Sequence, residues 1–274
     1  MILLLSVIST LSNAEIKLHF GHYTSDLPSD LIKKFTPIIN FLEKRLTSEL
    51  AQKVSIKFTI TPSYSAGINQ LVTGHIDLMR MGPASYILAH KQNPNIEIIA
   101  AESNKGEKKF KGIICAKDNN SIKTIQDLKG HSFAFGNENS TIGRYLSQRF
   151  LSKNNIHARD LSKFKYFKSH DKVGAMVALG IFDAGALKNS TYKKILKKGA
   201  KLRKLAEFDN VTKPWVARAG LDKSIIRALR KTLLSMKNHK ALKKLKKDGF
   251  LPATIDDYKV IQTAIEHNSD FFNN

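Results

Sequence analysis

The sequence predicts an α/β protein of two similar units, and three observations carry that prediction. Short stretches with apolar residues at every second position alternate with longer stretches whose apolar residues recur at steps of three and four. The alternation runs through residues 16–117 and then restarts after residue 120. No low-complexity linker or internal repeat separates the halves, so the units are expected to join through crossing strands, with largely parallel sheets.

The elements follow in order. "IKLHF" (16–20) sets Ile16, Leu18 and Phe20 against Lys17 and His19, a strand expected to end at Gly21. Residues 29–50 carry Phe35, Ile38, Leu42, Leu46 and Leu50 on one helical face, with Ser29 as the candidate cap. "VSIKFTI" (54–60) is again a strand, stopped by Thr61-Pro62, and 65–74 a short helix ending at Gly74. Strands are expected at 75–81, 96–102 and 112–117, with Gly82-Pro83 breaking the first of them. In the second half, strands are expected at 133–135, 164–167 and 181–187, and helices at 141–154 and 171–180. A long helix is expected over 224–247, with Ile225, Leu229, Leu233 and Met236 on one face.

Composition excludes several classes. At 274 residues, 42% hydrophobic and 25% charged, the chain is globular and long enough for two cores. No apolar run approaches the ~20 residues of a membrane-spanning helix. "MILLLSVISTLSNA" joins an apolar stretch to Ser12-Asn13-Ala14, and an export signal cut after Ala14 is expected; a buried first element is the alternative. Cys115, the one cysteine, lies in the apolar run "GIICAK" and reads as a buried small side chain. The net charge of +22 is concentrated in "KKILKKGAKLRK" (193–204) and "KNHKALKKLKK" (237–247). Leucines and isoleucines at helical spacing among those lysines mark solvated helix faces, although a nucleic-acid or membrane-binding surface has the same composition. No zinc-finger spacing, helix-turn-helix or aromatic RNA motif accompanies them, so no nucleic-acid partner is expected.

Candidate chemistry lies where strands run into helices. In "FGNENSTIGRYL" (135–146), Ser140 falls at a helix start with Thr141 beside it. Ser140 by itself also reads as an ordinary N-cap. The unpaired N–H groups of a first turn, the helix dipole, two hydroxyls and a glycine at 143 together make a ready anion pocket. "KSHDKVGAMVALG" (168–180) repeats the arrangement with Ser169, His170 and Asp171; the imidazole is either an anion ligand or a surface group. Two such turns in neighbouring strand–helix units lie side by side at the carboxyl edge of one sheet, where open α/β proteins bind ligands. Tyr64 and Tyr86 follow strands of the first unit and bring rings with hydroxyl tips, suited to enclosing a small polar ligand or to packing. Phosphate-loop, dinucleotide, nucleophile-elbow and zinc-hydrolase motifs are absent, and no cofactor or metal is expected. Ser169-His170-Asp171 is no catalytic triad, because three successive residues cannot converge as the relay requires. We therefore expect no enzyme.

These segments resemble the phosphonate-binding protein family, the solute receptors of ABC importers. The resemblance spans ~16–260 and rests on "HFGHY", "SYSAGINQLVTGHIDLMRMGPASYILA", "TIQDLKGHSFAFGNENSTIG", "KSHDKVGAMVALGIFDAGA", "KPWVARAGL" and "DGFLPATIDDYKVI", in family order. It implies a type II periplasmic-binding fold, two α/β lobes joined by two crossover strands with the ligand between them. Lobe one is then 15–115 plus 216–274 and lobe two 116–215, with crossings near Cys115 and Trp215. It also implies a periplasmic, monomeric receptor that binds a small oxyanion and delivers it to a membrane permease; a ligand-sensing module for a histidine kinase is the alternative. By the same resemblance Ser140, Thr141 and His170 hold the oxyanion and Tyr64 forms an aromatic wall. Phe110 stands where the family has a second tyrosine. The family's two ammonium-gripping carboxylates fall near Ser190 and Lys213, so 2-aminoethylphosphonate is expected to be disfavoured.

Overall fold

The computed structural model describes residues 14–23, 28–119, 121–237 and 240–273. The expected export signal falls on residues 1–14, of which 1–13 lie outside the described residues. Two sheets organise the rest. The first is built from β1 (Ile16–Tyr23), β2 (Val54–Thr61), β3 (Leu78–Arg80), β4 (Glu97–Ser103), β10 (Pro214–Ala217) and β11 (Gly249–Leu251), in the order β11-β4-β10-β3-β1-β2. The second contains β5 (Lys109–Lys117), β6 (Ser132–Phe135), β7 (Lys163–Tyr166), β8 (Ala184–Lys188) and β9 (Leu202–Val211), in the order β7-β6-β8-β5-β9.

Both sheets are mixed, which corrects the expectation of largely parallel pairing. β1 runs parallel to β2 and β3, but β10 is antiparallel to β3 and β4, and β11 to β4. β6 is parallel to β7 and β8, whereas β5 is antiparallel to β8 and β9. The strands that bring the chain in from the other lobe, β5 and β10, run against their parallel neighbours. The chain leaves the first sheet after Ser103, enters the second at Lys109, leaves it after Val211 and returns at Pro214. The first crossing thus falls before β5 instead of near Cys115, which is fully buried inside that strand, and the second lies at 212–213, beside Trp215.

Helices cover the sheets. α1 (Pro28–Leu50), α7 (Lys223–Leu234) and α8 (Lys240–Leu245) bury one face of the first sheet in a core that includes Phe20, Phe35, Leu42, Leu229 and Trp215. The Phe20 and Trp215 rings stack at 4.9 Å. α2 (Tyr64–Val72), α3 (Pro83–Gln92) and α9 (Lys259–Glu266) cover its other face. In the second lobe, α4 (Ser147–Lys153) packs on one face, and α5 (His170–Ala178) and α6 (Asn189–Lys197) on the other.

Further sequence expectations need correction. Ser29 is not a cap but lies inside the first turn of α1. β1 continues through Gly21 to Tyr23, because β2 pairs with it over its whole length. Residues 193–204 are not one helix: Gly199, at φ 87°, ends the turn after α6, and Leu202 opens the ten-residue β9. The helix expected over 224–247 stops at Leu234 and resumes at Lys240. The C-terminus is not confined to lobe one either. α10 (Asp270–Asn273) inserts Phe271 into the second lobe's core against Phe135 and Phe164, with ring centroids 5.5 and 6.0 Å away.

Candidate functional site

Local sequence preferences place hydroxyls at the ends of helices, and the fold brings those ends together. Ser140 caps a wide, π-type turn (Thr141–Leu146), its Oγ accepting the Gly143 N–H at 3.1 Å. Ser169 caps α5 through the Lys172 N–H at 3.3 Å, and Ser63 caps α2 through Ala66 at 3.0 Å. Thr141 Oγ1 accepts an N–H from the other lobe, that of Ala84 in the first turn of α3, at 2.9 Å. A hydroxyl that accepts a backbone N–H keeps its own proton for another acceptor. Ser140, Thr141 and Ser169 face a single small cavity together with the starts of α2 (Tyr64) and α3 (Gly82-Pro83). Four helical N-termini thus converge there, each bringing a positive dipole end.

The cavity holds about 50 Å³, against the ~10–15 Å³ a single water needs. A guest of a few heavy atoms fits it. Tyr64 stacks on Tyr23 at 3.9 Å with a 24° angle between rings, forming one wall, and Phe110 forms another. Tyr23 Oη accepts from the Gly82 N–H and from Ser85 Oγ, which fixes the buried ring. Contacts also span the lobes beside the cavity: Asn139 Nδ2 donates to Ser65 Oγ at 2.9 Å, and the Asn139 carbonyl, 3.4 Å from Ser85 Oγ, is an alternative acceptor for that hydroxyl's one proton.

Charge around the cavity is positive. Lys168, Lys188 and Lys213 line it, as does the imidazole-bearing His170. Burial, reinforced by Arg80 and Lys188 and less by Lys34, pushes Lys213 well below the ordinary lysine value, with Glu102 pulling the other way. Behind Lys213, Arg80 forms a bidentate pair with Glu102, at 2.5 and 3.1 Å, and Lys247 approaches the same carboxylate at 3.6 Å. Burial works to raise Glu102, but Arg80, Lys247 and Lys213 outweigh it and hold the carboxyl at about 2. Asn210 lines the cavity fully buried, and its Oδ1 has no hydrogen-bond partner among the described residues.

Of the sequence candidates, Tyr64, Phe110, Ser140, Thr141, Ser169, His170, Asp171 and Lys213 all line this cavity. Asp171 is the one carboxylate among the lining residues, and it is tied to Lys194 at 3.0 Å, so it presents little free negative charge. Tyr86 lies elsewhere: it packs edge-on against Tyr258 at 5.4 Å in the core beneath α3, and burial pushes its phenol up to about 12. Gly143 also has a different role from the one expected. A Cβ there would meet Gly136 Cα at 2.6 Å, so the glycine serves the contact between two backbone segments rather than access for a ligand. Sequence reasoning missed Tyr23, Asn137, Lys188 and Asn210. Tyr23 closes the quoted "HFGHY", and Lys188 ends a strand, so both had a signal; Asn210 sits on β9, which was not recognised.

Among the described residues there is no His, Cys, Asp or Glu cluster suited to a metal, and no helix long and apolar enough to cross a membrane. A family model described as "ABC transporter, phosphonate, periplasmic substrate-binding protein" matches residues 20–258. The chain is 29% identical over 245 residues, 81% of each sequence, to a probable ABC transporter phosphite-binding protein, PhnD1, from Prochlorococcus marinus (strain MIT 9301). A solved structure of PhnD1 from that organism, in complex with methylphosphonate, superposes with a TM-score of 0.80 at 26% identity, covering 93% of this chain and 98% of the other. A binding-protein component of an ABC phosphonate transporter from Pseudomonas aeruginosa shares the fold, with a TM-score of 0.78 at 18% identity, covering 93% of this chain and 87% of that one.

Proposed function

The chain belongs to the periplasmic substrate-binding protein family of phosphonate ABC transporters, and on that footing we propose that it captures a small phosphorus oxyanion between its lobes. Delivery to an inner-membrane permease follows, after export with cleavage behind Ala14. The observation that carries this reading is the convergence of four helix starts, three hydroxyls and His170 on a cavity of about 50 Å³ lined by lysines. The hydroxyl protons and the positive dipole ends of the helix starts suit a ligand made of hydrogen-bond acceptors, which is what an oxyanion is. Ser140, Thr141, Ser169 and His170 hold the oxygens, while Tyr64, Tyr23 and Phe110 cover the phosphorus substituent. No bond is made or broken; the work is desolvation and closure.

Size and charge select the ligand. Phosphite, methylphosphonate and phosphate match the cavity, and the PhnD1 relative, described as phosphite-binding and solved with methylphosphonate, supports that choice. Lys213, standing near the position of a family carboxylate, repels the ammonium of 2-aminoethylphosphonate, which no free carboxylate compensates. The test is a thermal-shift and calorimetric panel of phosphorus oxyanions, since a bound ligand raises the melting temperature by mass action. Each charge-assisted bond contributes ~1.5–3 kcal/mol, so Thr141→Ala and His170→Ala each weaken binding by roughly one to two orders of magnitude. Unchanged affinity in both variants removes the assignment.

A further inference from the structure

A much larger groove, about 1310 Å³, adjoins the small cavity and shares Phe110, Asp171, Lys188 and Lys213 with it. Its walls come from both lobes: Lys33 and Lys34 of α1, Lys109 and Lys111 of β5, Lys193 of α6 and Lys244 of α8. Twelve lysines and Arg80 line it, against five carboxylates, a formal excess of eight positive charges. Three of those carboxylates are already tied: Glu102 to Arg80, Asp171 to Lys194 and Asp209 to Lys111. Lys33, Lys105, Lys109, Lys193, Lys244 and Lys246 form no ion pair among the described residues.

Such a concentration of like charge is unfavourable for the empty protein, and a groove walled by both lobes gains most from an anion when the lobes close. The cavity itself is too small for a second phosphoryl group. We infer that the groove is a second anion subsite, and that the protein accepts phosphoryl compounds with further anionic groups, the terminal group in the cavity and the rest along the groove lysines. The inference rests on capture of a phosphoryl group in the cavity. A small polyanion suits the groove better than a nucleic acid or a membrane surface, because the lysines line a concave groove formed by elements of both lobes.

Calorimetry with phosphite, orthophosphate, pyrophosphate and tripolyphosphate tests it, on the wild type and on a Lys33→Gln/Lys193→Gln/Lys244→Gln variant, none of whose positions lines the small cavity. Tripolyphosphate is expected to bind at least as tightly as orthophosphate. The triple variant is expected to lose roughly tenfold or more for tripolyphosphate, in line with partly screened charge pairs, and to keep its orthophosphate affinity. The inference is overturned if orthophosphate or phosphite binds while tripolyphosphate neither binds nor competes. It is also overturned if the variant weakens all four ligands equally, which would mark the lysines as a general steering field. Failure of every ligand to bind removes the underlying phosphoryl-capture reading along with it.

Discussion

Replacing Glu102 with glutamine tests the electrostatic frame behind the cavity. Glu102 is 1% exposed and sits among Arg80, Lys247 and Lys213. Its carboxyl is held at about 2 against an ordinary 4.5. That difference corresponds to roughly 3 kcal/mol of stability at neutral pH. The sign follows from a depressed folded-state value: the contribution is complete above the unfolded carboxyl's range, near 4.5, and is lost as pH falls through about 2. Glu102→Gln also leaves Arg80 buried without its counter-ion, a change that typically costs 3–5 kcal/mol. Urea unfolding of both proteins at pH 7, 5, 4 and 3 gives the comparison. The variant is expected to be less stable by about 3 kcal/mol or more at pH 7, with the gap unchanged down to about pH 5 and narrowing at pH 4 and 3. Equal stability at pH 7, or a gap that stays constant down to pH 3, would refute the reasoning.

Further expectations concern the cleft. An oxyanion beside Lys213, whose free-state value burial depresses, raises that value and draws in a proton. Well above the ligand's second ionisation, the binding enthalpy should therefore vary with the buffer's ionisation enthalpy, and Lys213→Met should abolish the variation. 2-Aminoethylphosphonate should bind more weakly than methylphosphonate, and Lys213→Glu should reverse the order; calorimetry on both ligands reads the ratio. Gly143→Ala forces Gly136 and Ser140 apart and should lower stability by ~1–3 kcal/mol, seen as a lower melting temperature with its partner loop more exposed to hydrogen exchange.

What was legible in the sequence was what local chemistry decides. Ser140, Ser169 and their turns were identifiable because a capping serine and a following amphipathic run are short-range signals, and the structure brings Thr141 and His170 to one cavity. Tyr86 looked equivalent to Tyr64, since both open helices after strands; only the arrival of Tyr258 from 172 positions along the chain decides that Tyr86 is core. β9 was hidden because its first residues, Leu202 to Lys204, read as the end of a lysine-rich helix face, and its strand character comes from pairing with β5 over Lys109–Lys117. With β9 went Asn210. The lobe boundaries shifted for the same reason: a strand's sheet is fixed by partners that lie far away in sequence.

The anchoring of Phe271 has a mechanical consequence. Opening of a two-lobed receptor is usually pictured as rotation about the two passages between its halves. Here the tail forms a third link: α9 wedges against both α3 and the turn after Ser140, and α10 is moored in the far half by its aromatic ring. Only residues 267–269 separate those helices, and three residues of chain extend to ~10 Å at most. The jaw therefore works on a short leash, with its gape set by the slack in that tripeptide or by the release of one ring.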